Sequence, residues 1–202
     1  MSFFKWQKNQ RVRAGMAICL LPFMLAACHT RTLNTFDLPI PTYLGISATP
    51  SKAQILVPIP EALKFLDGQN ILIYSATSVA YLKKAQWSDR LPNLIQARLA
   101  QAFENVQHFR GVGRPNDGLA IDYQILTDLR AFDVDVSSSM PRAQVVIGVR
   151  IMDDRTGTII ANHIFKGESH ILGKTDYAYI YGLNQAFEQV LRAIIPWVVA
   201  QI

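Results

Sequence analysis

Ala143-Gln144-Val145-Val146-Ile147-Gly148-Val149-Arg150-Ile151-Met152, then Asp153-Asp154-Arg155-Thr156-Gly157, then residues 158–166, carries the clearest structural pattern in the chain. Val145, Ile147, Val149 and Ile151 recur at every second position. That period, carried by β-branched side chains, is the pattern of a strand with one buried face. Residues 153–157 are turn chemistry, so 158–166 returns as the antiparallel partner of a hairpin. Just upstream, Leu119, Ile121, Tyr123 and Ile125 alternate with Ala120, Asp122 and Gln124, which predicts a second half-buried strand. The alternation changes phase before Phe132, Val134 and Val136, and a bulge between 126 and 131 is the expected cause. These strands form an antiparallel meander.

A helix is predicted on either side of the meander. Leu91, Ile95, Leu99, Ala102, Phe103 and Val106 recur at helical spacing, with Asn93, Gln96, Gln101 and Glu104 between them. Ser88 or Asp89 is the expected cap, and Pro92 falls in the first turn, where a missing N–H costs nothing. Residues 175–202 give the second helix, with an inward stripe of Leu183, Phe187, Val190, Leu191, Ile194 and Val198. Pro196 should kink or interrupt its last turns.

Residues 54–60 read as a strand, and Pro58 argues for a sheet edge or a strand end. Residues 61–65 are expected to make one helical turn, Asp67-Gly68 a turn and Asn70-Ile71-Leu72-Ile73-Tyr74-Ser75 a buried strand. Residues 111–118 read as loop, and 39–52, with Pro39, Pro41 and Pro50, as loop or extended edge. Thr35-Phe36-Asp37-Leu38 is a candidate first strand. The order β-β-α-β-β-β-α points to an α/β (α+β) fold: one mixed, largely antiparallel sheet with two main helices packed on it. The expected organisation is a signal segment over 1–27, a tether over 28–52 and a folded domain over 53–202.

The N-terminus reads as an address. Lys5, Lys8, Arg11 and Arg13 precede an apolar run over 14–25, and Leu25-Ala26-Ala27-Cys28 follows. A basic region, a short apolar region and small residues before a cysteine are the pattern of a cleaved lipoprotein signal peptide. The run of 12 residues spans about 18 Å as a helix, short of the ~30 Å hydrocarbon core, which argues against a transmembrane anchor. Cys28 would carry a covalent diacylglycerol and an N-acyl chain, and two or more chains make attachment stable. The net charge of +5 belongs mostly to the leader, so the chain after it is close to +1 and gives no reason to expect nucleic-acid binding. Cys19 leaves with the leader, so no intramolecular disulfide is expected.

No catalytic pattern stands out. There is no Gly-x-Ser-x-Gly elbow, His-Glu-x-x-His, P-loop or Cys-x-x-Cys, and Gly111-Val112-Gly113 lacks the third glycine of a phosphate-cradling loop. His163 and His170 have no third ligand at metal spacing, and Asp153-Asp154 is turn chemistry first. No enzyme, metal or cofactor beyond the lipid on Cys28 is expected. The aromatic residues Tyr81, Trp87, Tyr177, Tyr179 and Tyr181, outside the clear core stripes, are the candidate contacts for a partner or ligand.

Trp87-Ser88-Asp89-Arg90-Leu91-Pro92, entered from Tyr81-Leu82 and continued by Leu94-Ile95-Gln96-Ala97-Arg98-Leu99, resembles the centre of the ABC-type transport auxiliary lipoprotein family. Residues 35–38 resemble the family's opening strand, 70–74 its Ile-x-Ile-Tyr strand, and Leu183-Asn184-Gln185-Ala186-Phe187 its closing helix. The likeness spans 35–200. It implies a non-enzymatic lipoprotein held at the periplasmic face of the outer membrane, with the inner membrane left open as the alternative. The implied partners are an MCE-type substrate-binding protein and, through it, an ABC permease and ATPase, with lipid as the cargo class. A homo-oligomer stays open, as do a stand-alone lipid-binding lipoprotein and an outer-membrane assembly factor. His29, in place of an aspartate after the cysteine, points to the outer membrane.

Overall fold

A computed structural model of the chain describes residues 32–40 and 49–202. The leader and Leu25-Ala26-Ala27-Cys28 lie outside the described residues. In chain order the elements are β1 (Asn34–Phe36), β2 (Gln54–Leu56), β3 (Glu61–Ala62), β4 (Asn70–Ser75), β5 (Ser78–Trp87), α1 (Leu91–Val106), β6 (Gly111–Gly113), β7 (Tyr123–Asp135), β8 (Arg142–Asp153), β9 (Thr158–His170) and α2 (Asp176–Gln201).

Strand β7 is the spine of a single mixed sheet. One edge pairs along its length with β8, which pairs in turn with β9, both antiparallel. The other edge receives three short parallel strands end to end: β2 at Tyr123 and Gln124, β3 at Asp128 and Leu129, and β4 at Asp133 to Asp135. Antiparallel β5 extends the sheet beyond β4, and β1 pairs parallel to β5 at Ala85 to Trp87. Beyond β2 lies β6. The fold class and the meander are therefore as the periodicity indicates. The phase change is real, because the β7–β8 register shifts between Leu129 and Ala131.

Both helices cover one face. Val145, Ile147, Val149 and Ile151 of β8 and Ile125, Phe132 and Val134 of β7 are buried there, with Ile95, Leu99 and Phe103 of α1 and Leu183, Phe187, Val190, Ile194 and Val198 of α2. Helix α2 sits directly on β9. Thr175 caps it by accepting a hydrogen bond from Ala178 N at 3.2 Å.

Several local expectations are corrected. Residues 61–65 are not a helical turn, since Glu61 and Ala62 pair with β7 and the turn begins only at Leu63, whose carbonyl accepts from Asp67 N. Gly111 to Gly113 is strand rather than loop, because β2 offers it a parallel edge. Of the two readings of Pro58 the strand end holds, since it follows the end of β2, and the edge does not, since β2 lies between β7 and β6. Neither Ser88 nor Asp89 caps α1. Arg90 holds the cap position without a side-chain bond, the carbonyl of Gly68 accepts from Leu91 N, and Pro92 has no N–H to satisfy. Nor does Pro196 end α2, which runs to Gln201. An interior proline costs ~3 kcal/mol, and burying Val198 and Val199 beyond it offsets that at roughly 1.5–3 kcal/mol each.

Residues 34–38 take part in the fold, the alternative left open for 35–38. Besides pairing through β1, the segment is tied to α1 by Arg98, whose Nε donates to Leu38 O at 2.5 Å and whose guanidinium pairs with Asp37 at 2.5 Å. Leu38 is buried.

Candidate functional site

The five aromatic candidates separate into two groups. Trp87 ends β5 on the helix side of the sheet and is 1% exposed. Its ring meets Phe132 edge-on at 5.7 Å, and Phe132 meets Phe187 of α2 at 5.8 Å. A residue at the foot of this aromatic stack presents nothing to a partner, so its role as a contact is withdrawn. Tyr179 is 9% exposed and falls on the same inward stripe as Leu183 and Ala186. Its alternation with Tyr177 and Tyr181 misleads, because helical period, not period two, sets which side each faces.

The outward tyrosines are different. Tyr177 and Tyr181, one turn apart on α2, are 67% and 68% exposed. The ring of Tyr177 meets Phe36 edge-on at 5.4 Å, joining the start of α2 to β1. Tyr81, 40% exposed, lies on β5 a few residues before Ala85, the partner of Asn34. Three further residues belong to this region and were not singled out from the sequence: Lys83 and Lys84, both exposed, and Leu172 before α2, which is 93% exposed. A solvated loop leucine has no periodic pattern to give it away. The two lysines sit where the strand itself was not recognised.

Among the described residues, no helix lies on the other face of the sheet. A groove of about 620 Å³ crosses it, lined by Glu61, Asp128, Arg130, Arg150, Asn162 and Ile164. Its charges are paired, Arg130 with Asp128 at 2.5 Å and Arg150 with Glu61 at 3.9 Å. Gly148 shapes the floor, because a Cβ there would lie 2.4 Å from Asp128 Oδ1. Arg150 Nε is buried without a hydrogen-bond partner among the described residues.

Asp133 lies on this face, opposite Gln144, between the inward Phe132 and Val134. Burial, and secondarily the charge of Asp135, push its carboxyl up to about 6. Asp135 itself is held below the ordinary range by hydrogen bonds from Ser137, and Glu168 by Lys166 and Arg142. A carboxyl raised in the fold binds more protons folded than unfolded, so its contribution to stability falls as pH rises through the interval from about 4 to about 6. Asp133→Asn removes that penalty. Relative to the parent, the variant is expected to gain stability progressively over this interval and keep the gain above it, read by urea unfolding at each pH.

Among the described residues no cluster of His, Cys, Asp and Glu could hold a metal, and no helix is long and apolar enough to cross a membrane. The fold is shared with solved structures. Protein XCC0632 of Xanthomonas campestris superposes with a TM-score of 0.73 at 19% identity, covering 84% of this chain and 95% of that one. The hypothetical protein CT253 of Chlamydia trachomatis gives 0.53 at 10% identity, over 75% and 98%. In sequence, the chain is 28% identical over 165 residues to the uncharacterized protein bll6063 of Bradyrhizobium diazoefficiens, covering 82% of this chain but spanning only 44% of that relative's length. The family described as ABC-type transport auxiliary lipoprotein component matches residues 36–195, a span from β1 into the last turns of α2. This chain belongs to that family of auxiliary lipoprotein components of ABC-type transport systems.

Proposed function

We propose that the protein is a periplasmic lipoprotein anchored through acylated Cys28, serving an MCE-type ABC system that moves lipids or other hydrophobic molecules between the inner and outer membranes. The family match over 36–195 carries this reading. Its work is mechanical rather than catalytic: one end is fixed in the bilayer and the folded domain docks an MCE-type substrate-binding protein. His29 after the cysteine favours the outer membrane. The sheet face without helices, with its groove of paired charges, is the surface such a partner would cover.

Close packing favours this over a stand-alone lipid carrier. At Gly167 a Cβ would come within 2.1 Å of Ala186 O, so α2 and β9 touch backbone to backbone and leave no space for an acyl chain at that point.

Two measurements test the proposal. Cys28→Ala is expected to abolish palmitate labelling and leave the 27-residue leader attached, as read by mass spectrometry of the membrane fraction. A wild-type product with a bare thiol and an intact leader would sink the anchor. Pull-down of the acylated protein is expected to recover an MCE-type protein. Recovery of outer-membrane assembly components instead would favour an assembly factor.

A further inference from the structure

The distance from the anchor to the fold is short. Asn34 lies six residues after Cys28, and β1 is held both by β5 and, through Asp37 and Leu38, by Arg98. Fully extended, that stretch reaches about 20 Å. Strand β9 alone spans ~43 Å along the sheet, and α2 ~39 Å. An anchor on Cys28 therefore selects the β1 side of the domain and leaves the far end out of reach.

That side has the chemistry of a lipid interface. β1 is parallel to β5, so the chain before Asn34 approaches from the side of Lys84 and Lys83. Both lysines are exposed, and neither has an ion pair among the described residues. Tyr177 lies against Phe36 of β1, with Tyr181 one turn on and Leu172 just before the helix. Exposed tyrosines suit the headgroup layer, where ring and hydroxyl meet apolar and wet surroundings together. Lysines near the surface are drawn to lipid phosphates. Exposed apolar side chains alone would not decide the matter, since Ile159 and Ile160 stand out at the opposite end of β9. Reach and charge do.

We propose that the corner formed by β1, Lys83 and Lys84 of β5 and the first turns of α2 seats on the lipid surface holding the anchor. Leu172, Tyr177 and Tyr181 then enter the headgroup layer, and the two lysines face lipid phosphates. The proposal rests on acylation of Cys28.

The test uses the full acylated chain in vesicles of phosphatidylethanolamine and phosphatidylglycerol. A spin label is placed at Leu172→Cys, Tyr181→Cys or, as the distant control, Ile160→Cys. The sulfur of acylated Cys28 is a thioether and does not compete for the label. Labels at 172 and 181 are expected to lose several-fold in relaxation by a water-soluble paramagnetic reagent on moving from detergent to vesicles, with no change at 160. Lys83→Glu with Lys84→Glu should reverse part of that protection. Equal accessibility at all three sites, with the protein still floating with the vesicles, overturns the seating and leaves the anchor standing. Protein that washes from the vesicles overturns both. Protection that appears only in membranes containing the partner protein assigns the corner to a protein contact and likewise overturns the proposal.

Discussion

Gly167→Ala is expected to destabilise the domain by about 3 kcal/mol, the upper part of the usual range for overpacking. The new Cβ would lie 2.1 Å from Ala186 O and 3.0 Å from both the Ala186 carbonyl carbon and Val190 Cγ2. The carbonyl is helix backbone and cannot rotate aside. Relief requires α2 to lift from β9, opening the packing around Phe187 and Val190. The comparison with two other glycines sharpens the test. At Gly182 the nearest atom is Cγ1 of Ile171 at 2.7 Å, and at Gly148 it is the Asp128 carboxylate, both of them side chains that can move. Alanine at these two sites should cost less than at Gly167. Urea titration reads the difference as a drop in midpoint at constant slope. A Gly167→Ala midpoint within error of the parent would mean that α2 does not sit on β9 as described.

Trp87→Ala is expected to cost about 3–5 kcal/mol, as for other buried aromatic truncations. The side chain joins β5 to Phe132 of β7 and, through it, to Phe187 of α2, so its loss opens a hole where three elements meet. Trp87→Phe keeps part of the stack and should recover part of the loss. A contact residue would behave in the opposite way, with stability near the parent and binding lost. If the alanine variant unfolds at the parental urea concentration, the aromatic stack is not the core feature described.

The long elements were legible because their periods are long enough to count. β7 and β8 carry sustained alternation, β9 follows from the turn that precedes it, and α1 and α2 carry sustained helical stripes, so the fold class could be read directly. β5 was not recognised for a definite reason. Its pairing with β4 passes from Asn70 opposite Gln86 to Leu72 opposite Tyr81, so five steps on one strand answer two on the other. The irregularity scrambles the alternation just where Lys83 and Lys84 mask any apolar pattern. β1, β3 and β6 have two or three residues each, too few for any period; β1 and β3 exist because a longer strand offers an edge, and β6 because β2, itself seated on β7, offers one. The candidate site was legible only in part. Chemistry identified the tyrosines, but inward or outward orientation is a property of the helix, and it sorts Tyr179 from Tyr177 and Tyr181. The polar groove was invisible, since it assembles Glu61 with residues of β7, β8 and β9 far along the chain.

The spine strand has a consequence for how the molecule comes into being. β2, β3 and β4 find their places on β7 only some sixty to seventy residues further along the chain. A polypeptide halted before residue 123 would hold a hairpin and a helix with no sheet to join. Closing loops of that length is slow compared with forming local contacts. A chain crossing a membrane from its N-terminus would thus deliver β1 first and its organising strand late, and most of its length would have to emerge before the first part could settle.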